Sequence, residues 1–142
     1  MRSIAIERES DERMSIELQT KTRSRILIVD DSGMNRMMLS ELLEDRYDIL
    51  EASNGAEALS LIRQNLSSLD LVLLDIVMPE LDGFGVLANM KKRRLLEVIP
   101  IIMISSEGDS ASIERAFNLG ASDYIQRPYK GFLIHRRIIN IL

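Results

Sequence analysis

The stretch Leu69–Gly83, LDLVLLDIVMPELDG, decides the fold. Its first half is nearly all apolar and ends in Asp75. A run of that length without polar alternation suits a strand buried on both faces, as in a parallel sheet covered by helices. Its second half is turn chemistry, since Pro79, Asp82 and Gly83 are all turn formers. The segment that follows, GFGVLANMKKRRLL, reads as a helix over Gly83–Leu96. A buried strand, an acid, a turn and a helix form the repeating half of a βαβ unit.

The same unit recurs outward from that stretch. RILIVD (Arg25–Asp30) is a continuous apolar run ending in acid, and YDILEAS (Tyr47–Ser53) is shorter and mixed. IPIIMISS (Ile99–Ser106) and SDYIQ (Ser122–Gln126) supply two more strands. Between them, Met34–Glu44 carries Met34, Met38 and Leu42 at helical spacing, with Leu39 and Leu43 beside them. Asn54 suits the N-cap before GAEALSLIRQN. DSASIERAFNLG ends on Gly120, a C′ residue, and KGFLIHRRIINIL closes the sequence. Five strands alternating with five helices predict an α/β three-layer sandwich around a parallel sheet.

With 142 residues the chain has enough material for one domain with a real core. Residues 1–24 stand apart as a charged leader, flexible or a short helix, ahead of a domain over residues 25–142. The net charge of −4 gives no reason to expect a nucleic-acid surface. No apolar run approaches the roughly 18 residues of a membrane span. No secretory signal pattern opens the chain, and the absence of cysteine excludes disulfides and thiolate metal sites. A cytoplasmic location is the expectation. The eight methionines read as ordinary core residues.

In a parallel α/β sheet, ligands bind outside the carboxyl ends of the strands. Asp30 and Asp31 end the first strand and Asp75 ends the third. If those strands are neighbours, three carboxylates converge, and like charges raise one another's pKa unless a counter-charge is present. Oxygen ligands in small number favour Mg²⁺. Read singly, Asp31 would cap the first helix and Asp75 would lead into a turn. At the far end of the chain, Arg127 precedes Pro128, which restricts its backbone and keeps it from continuing a helix.

The segments ILIVDDSGMNR, EASNGAEAL, DLVLLDIVMPELDGFGVL, IPIIMISS and GASDYIQRPY, in that order, resemble the receiver domain of two-component response regulators. The resemblance spans about Arg25 to Leu142. It implies a flavodoxin-like fold with strand order 2-1-3-4-5. It implies that Asp75 is the phosphorylation site, with phosphate supplied by a sensor histidine kinase or phosphotransfer protein. Asp30, Asp31, Asp75 and the main-chain carbonyl of Val77 are the implied Mg²⁺ ligands. Ser105 is the implied hydroxyl contact to the phosphoryl group, and Tyr124 the aromatic that moves inward with it. Arg127 stands where the family carries lysine, a longer planar fork in place of a compact ammonium. Pro128 is implied to follow a cis bond. Valine at position 77 cannot guide an attacking water, so slow self-dephosphorylation is expected.

The implied role is signalling, with self-catalysed phosphotransfer and dephosphorylation as the chain's only chemistry. Phosphorylation would reshape the face of the fourth helix, fifth strand and fifth helix. A homodimer on phosphorylation is a further expectation, and RRIINIL suits either a stand-alone receiver ending on its last helix or a piece that continues into an output domain beyond the C-terminus. His135, in the last helix and away from the acids, reads as a surface residue. The alternative is a phosphorylation-independent interaction module of the same fold, with Arg127 neutralising the acidic pocket. A Mg²⁺ phosphohydrolase is disfavoured, because VDDSG lacks the Asp-x-Asp such enzymes usually show after the first strand.

Overall fold

The computed structural model describes residues 23–142. The 1–24 leader therefore lies, but for its last two residues, outside the described residues. Among those described, the order is β1 (Arg25–Val29), α1 (Gly33–Leu43), β2 (Asp48–Ala52), α2 (Gly55–Gln64) and β3 (Leu71–Asp75). There follow α3 (Gly83–Lys92), a 3₁₀ turn (Leu95–Glu97), β4 (Ile101–Ser105), α4 (Ser110–Asn118), β5 (Asp123–Gln126) and α5 (Gly131–Ile141). The strands form one parallel sheet in the order β2-β1-β3-β4-β5.

Side chains alternate across a strand, so each central strand feeds two cores. Leu27, Val29, Val72, Leu74, Ile101 and Met103 meet Ala58 and Ile62 of α2, Val86, Leu87 and Met90 of α3, and Ala116 of α4. On the opposite face Ile26, Ile28, Leu71, Leu73, Ile102 and Ile104 meet Leu39 and Leu43 of α1 and Ile134 and Ile138 of α5. This double burial is why these strands read as unbroken apolar runs. The edge strand β2 is covered less completely, and its sequence is correspondingly mixed.

Local chemistry sets the helix ends. Ser32, Asn54, Asp82 and Asp109 each accept a backbone N–H from the first turn of the helix they cap. Asn54 takes the expected place, whereas the first helix is capped by Ser32 and not by Asp31. At the end of α4, Gly120 adopts φ 109°. Ala121 N–H then bonds the Ala116 carbonyl and Gly120 N–H the Phe117 carbonyl, a Schellman closure.

Two expectations are corrected. The helix read over Gly83–Leu96 stops at Lys92. Arg94 turns left-handed at φ 61°, which returns Leu95 and Leu96 to the core beneath α3. The methionines are not all core. Met34, Met37 and Met38 lie on the solvent side of α1, while Met78, Met90 and Met103 are buried. The Leu39–Leu43 stripe faces the sheet, and Met34–Met38 is rotated one residue, about 100°, away from it.

Candidate functional site

Register brings the acids together. Val29 pairs with Leu74 across β1 and β3, so the next residue on each strand, Asp30 and Asp75, leaves the same edge of the sheet. Oxygens of Asp30, Asp31 and Asp75 all lie within 4.8 Å of one another. Asp30 and Asp75 are buried and Asp31 is exposed. A set of carboxylate oxygens at that spacing, open on the Asp31 side, fits a hard divalent cation.

Asp30 is held from several directions. Its Oδ1 accepts the Ser32 N–H at 2.9 Å, and its carbonyl accepts Arg36 Nη1 at 2.7 Å. Its Oδ2 accepts Arg127 Nη2 at 2.6 Å. The second arm of the same guanidinium, Nη1, lies 3.3 Å from Asp75 Oδ1 and 3.4 Å from the Ile104 carbonyl. Arg127 enters from the end of β5 and is joined to Pro128 by a cis peptide. The guanidinium thus takes both buried acids as its partners.

Burial and the nearby Asp30 charge push the Asp75 carboxyl up to about 6. The Arg127 guanidinium and the Val77 backbone amide pull the other way without cancelling them. Val77 lies in the loop after β3 and is 53% exposed.

Ser105 ends β4, fully buried, and its hydroxyl accepts the Glu107 N–H at 3.1 Å. Tyr124 on neighbouring β5 is half-buried, and its hydroxyl donates to the Glu107 carbonyl. Burial raises its pKa, a hydrogen bond with Ser105 lowers it, and the Glu107, Asp109 and Asp75 carboxylates raise it further. Ser105 and Tyr124 are thus tied to one loop residue, Glu107, beside the acids.

Sequence reasoning passed over Arg36 and Glu107. Arg36 also pairs with Glu51 at 3.3 Å, and nothing in its residue type marks it as a brace for Asp30. Glu107 acts through its backbone, which carries no residue signature. His135 is half-buried rather than on the surface, with Nδ1 enclosed and unpartnered among the described residues.

The sequence model of a family described as "Response regulator receiver domain" matches residues 26–139. A "Probable transcriptional regulator ycf27" of Guillardia theta is 37% identical over 128 residues, covering 89% of this chain and 48% of the relative. A "Probable cyclic di-GMP phosphodiesterase" of Vibrio cholerae is 36% identical over 121 residues, covering 85% of this chain and 27% of the relative. Among solved structures, the CheX-CheY-BeF3-Mg complex from Borrelia burgdorferi gives TM-score 0.78 at 28% identity, covering 83% of this chain and 88% of that one. The chain spans about half the length of the ycf27 relatives it matches.

Proposed function

Because the chain belongs to the response regulator receiver domain family, we propose that it accepts a phosphoryl group on Asp75 from a phosphohistidine donor, on a sensor kinase or a phosphotransfer protein, and that this switches a signalling surface. The observation that carries the reading is the convergence of Asp30, Asp31 and Asp75 within 4.8 Å, with a cation beside them.

An oxygen of the Asp75 carboxylate attacks phosphorus. The P–N bond to the donor imidazole breaks, and its electron pair returns to the ring nitrogen. The product is an acyl phosphate. The transition state is loose and in line, so the protein's work is positioning and charge neutralisation. Asp30, Asp31, Asp75 and the Val77 carbonyl would hold Mg²⁺, which offsets the charge of the incoming phosphoryl oxygens. Arg127 supplies a second cation. The Ser105 hydroxyl donates its O–H to a phosphoryl oxygen, and Tyr124 leaves the Glu107 carbonyl and moves inward. The α4-β5-α5 face then changes shape.

Acetyl phosphate with Mg²⁺ should add one phosphoryl group by intact mass, and none to Asp75→Asn. Fluoroberyllate should bind the wild type alone. Failure of both in the wild type would sink the reading. It would favour the interaction module instead, whose support is the closed pairing of Arg127 with Asp30 and Asp75. No helix among the described residues is long and apolar enough to cross a membrane.

A further inference from the structure

We infer that Arg127 is a tethered counter-cation that competes with the divalent ion for Asp30 and Asp75, so that metal loading releases the guanidinium and remodels the hollow it lines. The inference rests on the metal reading above.

Both oxygens of Asp30 are engaged, Oδ1 by Ser32 and Oδ2 by Arg127 at 2.6 Å. The Oδ2 contact is a short charge-assisted bond. The arginine does not stop at one acid. Its two nitrogens divide between Asp30 and Asp75, and Nη1 also bonds the Ile104 carbonyl. A lysine ammonium is a single point charge, whereas this planar fork spans the two buried carboxylates at once. A divalent ion drawing on Asp30 and Asp75 meets a positive charge already seated on both. Two ligands that disfavour each other do so reciprocally, by one coupling factor.

The released arm has somewhere to act. Arg127, Pro128 and Tyr129 line a hollow of about 440 Å³ together with Asn35 and Met38 of α1 and with Ser106. Met38 of this lining is 58% exposed, and Met34, about one helical turn before it, is 68% exposed. Moving the guanidinium therefore changes a surface feature before any phosphoryl group arrives.

The test is Mn²⁺ titration of the purified chain, with free ion followed by electron paramagnetic resonance and Mg²⁺ competition confirming the site. Arg127→Ala and Arg127→Lys should bind Mn²⁺ on the order of tenfold more tightly than wild type, within the usual range of such couplings. In wild-type protein, the guanidinium ¹⁵N–¹H resonances of Arg127 should lose their exchange protection at saturating Mg²⁺. That readout holds even where a variant folds poorly. Equal or weaker binding by both variants, or an Arg127 signal indifferent to saturating Mg²⁺, overturns the competition and leaves the metal reading standing. Absence of Mn²⁺ binding in every protein overturns both.

Discussion

Arg127 closes on Asp30 at 2.6 Å across a sequence separation of 97 residues. The pair ties the last strand to the first through the middle of the acidic pocket. The Asp30 side chain is 2% exposed. Removing the partner of a buried charge costs more than the pair itself contributes, because the charge is left uncompensated. In metal-free buffer, Arg127→Ala should destabilise the domain by about 3 kcal/mol, read from urea unfolding in the presence of chelator. Arg127→Lys should recover part of the loss. A neutral Arg127→Ala would mean that water already solvates Asp30.

The raised Asp75 carboxyl makes a pH prediction with a definite sign. Its folded value, about 6, exceeds its ordinary 3.8. Between those values the folded chain holds a proton that the unfolded chain has released. The stability from this group is therefore full below the ordinary value and is lost as pH rises through about 6. In chelator, Asp75→Asn should be more stable than wild type at neutral pH, by up to about 3 kcal/mol. The gap should close as pH falls toward 4. A gap that does not vary with pH would place the cause outside the titration of this carboxyl.

How much of this was readable from the residues follows from what each residue does. Strands β1, β3 and β4 are buried on both faces and announce themselves as apolar runs, and the meeting of the acids at the ends of β1 and β3 follows from the sheet's geometry. Order 2-1-3-4-5 came from resemblance, since runs alone do not rank strands. The exposure of Met34 and Met38 was not legible, because two stripes one residue apart, 34–38 and 39–43, are both apolar and periodicity cannot choose between them. The stop before Arg94 was hidden for a related reason, since KKRRLL has good helix formers throughout and only the packing of half-buried Leu95 and Leu96 against the core breaks it. That Arg127 would seat on both acids could not be read either, because guanidinium reach is a matter of coordinates.

Tyr124 and Ser105 both bond Glu107, one to its carbonyl and one to its amide. Tyr124→Phe deletes the first bond and keeps the ring. The loop Ser106–Asp109 should then exchange amide hydrogens faster, corresponding to roughly 1 kcal/mol of lost protection. Global stability should change little. Unaltered exchange in that loop would show that the tyrosine hydroxyl does not hold it.

Val77 gives a kinetic prediction. Its exposed side chain stands two residues after Asp75 and offers no hydrogen bond to a water approaching an acyl phosphate. Val77→Asn supplies one. The phosphorylated wild type should lose phosphate slowly, and the Asn variant should lose it several-fold faster, followed by phosphate release after the donor is removed. A wild-type rate already as fast as the variant's would remove valine from the account.

Gly83 is the last residue whose replacement should report on the site. The N–H of Gly83 bonds the Ile76 carbonyl at 2.8 Å, folding the loop after β3 back onto the strand end. A Cβ there would strike the Asp75 carbonyl oxygen and stand 2.8 Å from Ile76 Cα. Both obstacles are backbone, so no side chain can swing aside. Either α3 lifts from the sheet, uncovering Val86 and Met90, or the strand end carrying Asp75 shifts. Gly83→Ala should destabilise by about 1–3 kcal/mol, the usual scale of overpacking. Acceptance of phosphate from acetyl phosphate should fall further than stability alone explains, because displacing a reacting group by about 1 Å is enough to cost catalysis on the order of a hundredfold. Full phosphorylation of a folded Gly83→Ala protein would show that the loop absorbs the methyl group without moving Asp75.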